Sequence, residues 1–251
     1  MYLFLYDLAL GLFIAILGAV SAIIWRRFIQ LRNHSFIKQL SRSAGDISIV
    51  SSSIQIEKFH FAHHEKNYVH KSPKNVLFSP LHEGIAVAHL IEAFRVVNRK
   101  LDVRIRNSAD RGMPDRYVSN ITILIGGPSV NAASGIFLKE NFPEFRISYP
   151  NADSAAYKNV VYNVLKDSMG LVSEDVGFIF SQVSPSGHRT ILLCGILAFG
   201  SYAAADTLIN MNVNSPAGKE IVNSKKFFCA ISATVKGFSI DGTKIVTTDL
   251  N

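Results

Sequence analysis

Cysteine is scarce in this chain of 251 residues: only Cys194 and Cys229 occur, each inside an apolar run. Two such residues cannot build a disulfide framework, so they read as core thiols in a reducing compartment. Familiar catalytic signatures are absent as well. There is no Gly-x-Gly-x-x-Gly, no phosphate-binding Gly-Lys-Ser/Thr loop, no Gly-x-Ser-x-Gly elbow and no Cys-x-x-Cys pair, so nothing calls for a cofactor or a metal. Internal repeats and low-complexity tracts are also missing. So is any Lys or Arg before Arg26.

That last absence bears on the most informative feature. Residues 1–25 form a nearly unbroken apolar run, charged only at Asp7, and Arg26, Arg27 and Arg32 follow at once. About 20 apolar residues at the helical rise match the ~30 Å hydrocarbon core of a bilayer. A cleavable secretory signal, with Val20-Ser21-Ala22 as its cleavage site, is the competing reading. It wants positive charge ahead of a shorter core, which is not the pattern here. The expectation is an uncleaved transmembrane helix over residues 1–27, single-pass in the inner membrane. The arginines on its C-terminal side put Met1 outside and the domain that follows in the cytoplasm.

Asp7, Gly11, Ala15, Gly18 and Ala22 step by three or four residues and so share one stripe of that helix. Small residues there let two backbones approach closely, and an ionisable side chain within a span points to function. Association with further copies is the natural use, and the expected assembly is a homo-oligomer.

Charge adds a second bound. Of the net +7, the first 45 residues hold +4, from Arg26, Arg27, Arg32, Lys38 and Arg42 against Asp7. The remainder is too small to argue for nucleic acid as the main partner, whereas the basic stretch suits anionic headgroups of a lipid bilayer. Residues 28–46 read as a basic juxtamembrane linker, and 47–251 as one domain large enough for a real core.

Within that domain the hydrophobic period alternates. Residues 76–78 predict a short strand and 81–97 a helix with Val87, Leu90, Ile91, Phe94 and Val97 on one face. Residues 101–106 alternate like a half-exposed strand, and 121–125 form a continuous apolar strand ending at Gly126-Gly127-Pro128, with a helix over 130–138. Strands follow at 145–148, 160–165, 176–183 and 190–194, the first two separated by turn-forming residues 150–154. A small-residue helix runs through Ala203, Ala204 and Ala205 to Ile209, and 227–236 with 244–248 close a hairpin across 237–242. The fold expected is α/β: a Rossmann-like mixed sheet with flanking helices and a C-terminal β-hairpin.

Three loops share one geometry, each following a predicted strand and opening a helix: residues 79–84, 126–131 and 195–201. At the carboxyl edge of an open α/β sheet such loops gather, and their N–H groups and positive helix ends suit an anion. Gly126 and Gly127 permit close backbone approach, Pro128 pre-sets φ at the helix start, and Asn131 is placed to cap donors or touch a ligand. Gly200 and Ser201 repeat this on the last loop, with Phe199 available to stack on a base. Ser79, His82 and Glu83 complete the candidate ligand-binding set. His82 and Glu83 also admit an acid–base role, while a Glu in a first helical turn ordinarily complements the dipole. His60, His63, His64 and His70 surround Glu65, but their spacing fits no zinc pattern.

The segments 121–131, 175–179 and 192–196, followed by Gly200-Ser201-Tyr202-Ala203-Ala204-Ala205 and the closing hairpin, resemble a bacterial Rossmann-like domain. That domain has a GGPxxN turn, an Asp-x-Gly strand and a G-T-x-A-A helix start, and Ser201 stands where it more often shows Thr. It is similar in outline to nucleotide-sensing modules of membrane-anchored prokaryotic antiviral effectors. The resemblance implies a ligand pocket at Gly126, Gly127, Asn131, Gly200 and Ser201, and a nucleotide-like small molecule as partner. The resulting expectation is a membrane-anchored sensor or effector acting through oligomerisation. The alternative is a membrane-tethered enzyme, a hydrolase or glycosyl-transferring activity on a nucleotide or nucleoside, with His82 and Glu83 at its centre.

Overall fold

The computed structural model describes residues 34–51, 54–55, 58–63, 66–71, 77–78, 81–107, 120–148 and 153–249. The expected membrane helix and its stripe of Asp7, Gly11, Ala15, Gly18 and Ala22 lie outside those residues. Among the described residues no helix is long and apolar enough to cross a membrane.

The chain runs α1 (Ser35–Ser43), β1 (Asp46–Ser51), β2 (Ile54–Gln55), β3 (Lys58–His63), β4 (Lys66–Lys71), β5 (Leu77–Phe78), α2 (Leu81–Val97), β6 (Asp102–Asn107) and β7 (Ile121–Ile125). It continues through α3 (Ala132–Asn141), β8 (Arg146–Ile147), β9 (Ser154–Tyr157), β10 (Val160–Asn163), β11 (Leu165–Lys166), β12 (Val172–Val183), β13 (Arg189–Gly195), α4 (Ala198–Asn210), α5 (Pro216–Asn223), β14 (Lys226–Lys236) and β15 (Ser239–Asp249).

One mixed sheet organises the molecule, in the order β15-β14-β12-β13-β7-β1-β6, with β11 paired to β12. Its β13-β7-β1-β6 half is parallel, and its β12-β14-β15 half is antiparallel. The central parallel strands β7 and β13 are short apolar runs covered on both faces, every residue of β7 being buried, whereas the edge strand β6 is largely exposed. The fold is thus α/β with a mixed sheet and flanking helices, closed at one edge by the β14–β15 hairpin. That hairpin turns on Gly237 and Phe238 alone, since Lys236 already pairs with Ser239. Gly237 meets the turn's demand for positive φ, at 64°.

Period-2 alternation sends Ile121, Ile123 and Ile125 to one face and Leu124 to the other. The first face is covered by α1, α2, α4 and α5, whose Phe36, Leu90, Phe94, Leu208 and Ile221 fill one core cluster. On the second, α3 and the small sheet β10-β9-β8 lie over an aromatic cluster. There Phe178, Phe180 and Phe228 meet Phe142, Phe145, Tyr157 and Tyr162, with tilted and edge-on rings such as Phe142 and Phe180 at 4.8 Å.

Strands β1 to β4 and β9 are absent from the sequence expectation, and so are two helices. Residues 35–43, assigned to the linker, form a helix whose Phe36, Ile37 and Leu40 are buried in the first cluster. Its apolar face is only one stripe wide in nine residues, and it becomes stable by packing on α2 and α4. Helix α5 is the second, opened by Ser215, whose hydroxyl accepts from the Gly218 N–H at 3.1 Å, with Pro216 in the first turn.

Candidate functional site

At the carboxyl edge of the parallel strands, the ends of β7 and β13 and the first turns of α2 and α4 come together. Glu83, in the first turn of α2, is almost fully buried. Its carboxylate lies against the backbone of Gly126 so closely that a Cβ there would sit 2.8 Å from Oε2. Gly126 has φ at 96°, and its N–H donates to the Leu193 carbonyl at 2.9 Å, tying the end of β7 to β13. The positive φ requires glycine here, and a Cβ would also have to displace the Glu83 carboxylate. Ser201, in the first turn of α4, hydrogen bonds to Glu83. Across the same gap the rings of His82 and Phe199 meet at 4.2 Å, and the His82 Nε2 lies 3.1 Å from the carbonyl of Phe238 at the hairpin tip. Three of the predicted loops therefore share one rim.

Electrostatics at the rim are acidic. Burial raises the Glu83 carboxyl from its ordinary 4.5 to about 7, a shift that the Ser201 hydroxyl only partly offsets. Nearby Cys194 is pushed above its ordinary value, by burial first and by the Glu83 charge second. A second buried carboxylate, Asp175 on β12, was no part of the predicted site. Its Oδ1 accepts from the N–H groups of Val176 at 2.7 Å and Leu197 at 3.2 Å, and its Oδ2 from Gly200 at 2.5 Å. Burial still raises it to about 6, against the lowering influence of those three donors.

Asp175 therefore caps α4 from another strand and takes the donors that the sequence reading offered to an anion at Gly200. The local packing is close: a Cβ on Gly195 would meet the Leu197 carbonyl at 2.4 Å, and one on Gly200 the Val176 carbonyl at 2.4 Å. Asn131 is engaged in the same way. It is fully buried, its Nδ2 donates to the carbonyls of Val50 at 3.3 Å and Ile125 at 2.9 Å, and its Oδ1 accepts from the Ser134 N–H at 3.3 Å. It caps α3 and latches β1 to β7. Gly127 is buried beside the Gly195 carbonyl, and Pro128 packs on Gly135 of α3 at the border of a depression of about 400 Å³ that also includes Phe142 and Arg146.

The predicted set thus resolves into parts. Glu83, Gly126 and Ser201 form one set of contacts at the rim and His82 and Phe199 a ring pair from the same two helix starts; Gly127 adjoins them; Asn131 and Gly200 hold the frame; Pro128 braces its outer side. Ser79 lies outside the described residues. Of the histidine cluster, His64 and Glu65 also lie outside them, while His60, His63 and His70 fall on the β3–β4 hairpin. Among the described residues no group of His, Cys, Asp and Glu is placed to hold a metal ion. A signal for Asp175 was present in the sequence: a charged residue directly before the apolar residues 176–180 of a strand calls for a partner inside.

Compared with known proteins, the chain matches no family model and no curated protein.

Proposed function

We propose that this chain is a membrane-anchored sensor or effector. In this reading residues 1–27 hold it in the bilayer, and a Rossmann-like domain on the cytoplasmic side binds a nucleotide-like signal. The site is the rim formed by Glu83, Gly126, Gly127, Ser201 and the His82–Phe199 ring pair. The observation that carries the reading is the convergence of three loops on the carboxyl edge of the parallel strands, where open α/β sheets take their ligands.

The site's chemistry refines the ligand. With Asp175 on the donors of α4 and Glu83 buried beside Gly126, the inner rim favours hydrogen-bond donors such as sugar hydroxyls or an exocyclic amine over a phosphate. The ring pair offers a face for a base. Phe238 and Leu81, both highly exposed at the same edge, supply apolar surface that association with another copy would cover. A ligand favouring one assembly state by ~10⁴-fold, about 5.5 kcal/mol, is enough to switch it, and defence against phage is a role such a switch would suit.

Titration calorimetry of the detergent-solubilised full chain against mono-, di- and cyclic nucleotides tests the reading. Saturable heat for one class, weakened at least about tenfold by S201A, supports it. No heat for any of them removes it.

One observation favours the enzymatic alternative: a carboxyl held near 7 beside a histidine is poised for general acid–base work on a nucleotide. Product analysis after incubation with the same panel separates the two readings. Turnover lost in E83Q with binding retained assigns chemistry to Glu83.

A further inference from the structure

The edge of the sheet opposite the candidate site is the one from which the N-terminal segment departs. His34 contacts the end of α4, its Nδ1 3.2 Å from the Ile209 carbonyl, and the Ser35 hydroxyl accepts from the Val213 N–H at 3.1 Å. Helix α4 begins at the rim beside Gly195 and ends here, so α1 starts at the amino edge of the parallel strands. Eight residues, 26–33, separate the apolar run from His34. Fully extended they reach at most roughly 30 Å.

The cations of this edge come from five separate elements. Arg42 lies on α1, Arg99 and Lys100 in the turn from α2 into β6, Lys219 on α5, Lys225 just after α5 and Lys226 at the start of β14; all six are exposed. Register puts them together, because β1, β6, β7, β13 and β14 all start here. Among the described residues the edge also carries carboxylates that hydrogen bond or pair within the protein, Asp46 and Glu220 keeping their charge, and exposed Glu92 lies near Arg99. Asp46 accepts from the Asn120 N–H at 3.1 Å, Asp102 pairs with Arg104 at 2.7 Å, and Glu220 accepts from the Ser224 hydroxyl. At the end of α3, Glu140 and Glu144 are balanced by Lys139 and Arg146. A polar depression of about 580 Å³, lined in part by Gln39, Ser43, Asn120, Ser186, His188 and Arg189, opens at the same edge.

We propose that this amino edge is a docking surface for anionic lipid headgroups, which turns the Glu83 rim away from the bilayer. The inference rests on the membrane-anchored reading. Two features argue for a lipid surface as the occupant: the short tether to an apolar run at this edge, and an excess of exposed cations drawn from unrelated elements, which suits a plane of negative charge. Each such cation near an anionic leaflet favours contact by about fivefold, and the effect fades as added salt shortens the screening length.

The test uses the full chain reconstituted in phosphatidylcholine vesicles with and without phosphatidylserine, carrying a headgroup-attached nitroxide quencher. Cys194 and Cys229 are buried, so a fluorophore can be placed on N223C at the amino edge or on S129C at the rim without removing them. Expected is quenching of N223C several-fold greater than of S129C, dependent on phosphatidylserine, lost in high salt and lost in K219E with K225E. Equal quenching at both positions, or quenching indifferent to phosphatidylserine, overturns the proposal. Alkaline extraction reads the tether separately. A chain washed off the vesicles overturns the anchor and this inference with it, whereas a chain retained with equal quenching overturns the inference alone.

Discussion

The Asp175 carboxylate on β12 accepts a hydrogen bond from the backbone N–H of Gly200, 25 positions further along the chain, at 2.5 Å. With Leu197 and Val176 also donating to Asp175, the start of α4 is capped by the sheet rather than by its own N-cap residue, Leu197, which has no side-chain acceptor. In D175A these buried donors lose their partner, at a cost of about 3 kcal/mol or more. For a domain of this size that lowers the thermal midpoint by roughly 6–12 °C. D175N keeps one acceptor oxygen and is expected to lose about half as much. Calorimetric melting of the two variants checks the order; equal losses would mean that the donors find water instead.

Glu83 and Gly126 are coupled through space and permit a double-mutant cycle. G126A introduces a Cβ where the Glu83 oxygens lie and imposes φ of 96° on an alanine, so a loss of about 2–4 kcal/mol is expected. E83A removes the oxygens but not the backbone strain. The double variant G126A/E83A should therefore lose clearly less than the two single losses combined, with a coupling of about 1 kcal/mol or more. Additive losses would place the cost of G126A in its φ alone.

How far the sequence foretells this rim depends on the range of each interaction. Leu81–Val97 and Ile121–Ile125 announce themselves through 3.6-residue periodicity and an unbroken apolar run, and the structure places them there. The turn at Gly126-Gly127-Pro128 and the capping Asn131 follow from chemistry within six residues. Helix α1 is amphipathic, with Phe36, Ile37 and Leu40 on one face and Lys38, Gln39 and Arg42 off it, but at nine largely polar residues it reads as linker until α2 and α4 cover that face. Strand β9 hides among turn-forming residues, its inward Ala155 and Tyr157 alternating with small ones. Asp175 escapes for a third reason: its partners at Leu197 and Gly200 are remote in sequence, and only the fold brings them within reach.

The position of α1 makes a prediction about where the domain begins. Phe36, Ile37 and Leu40 are buried, and burying such side chains contributes about 1.5–3 kcal/mol each. A fragment starting at Asp46 should thus be less stable than one starting at His34 by about 5 kcal/mol or more. Denaturant unfolding followed by circular dichroism compares them. Equal midpoints would show that α1 rests on the core without contributing to it.

The pH dependence of stability isolates Glu83. In the unfolded chain its carboxyl gives up its proton near 4.5, whereas the folded chain holds it to about 7. Between those values the folded state binds more protons, so stability falls as pH rises through the window and levels off above it. The full effect amounts to about 3 kcal/mol. Asp175, raised to about 6, gives a slope of the same sign that begins lower. E83Q carries no titrating proton yet keeps an amide to meet Ser201, so it should flatten the upper part of the curve and leave the part due to Asp175. Thermal midpoints in detergent from about pH 4.5 to 8 read this directly. Parallel curves for wild type and E83Q would mean that Glu83 is ionised throughout, and that water or a cation reaches the rim to keep it so.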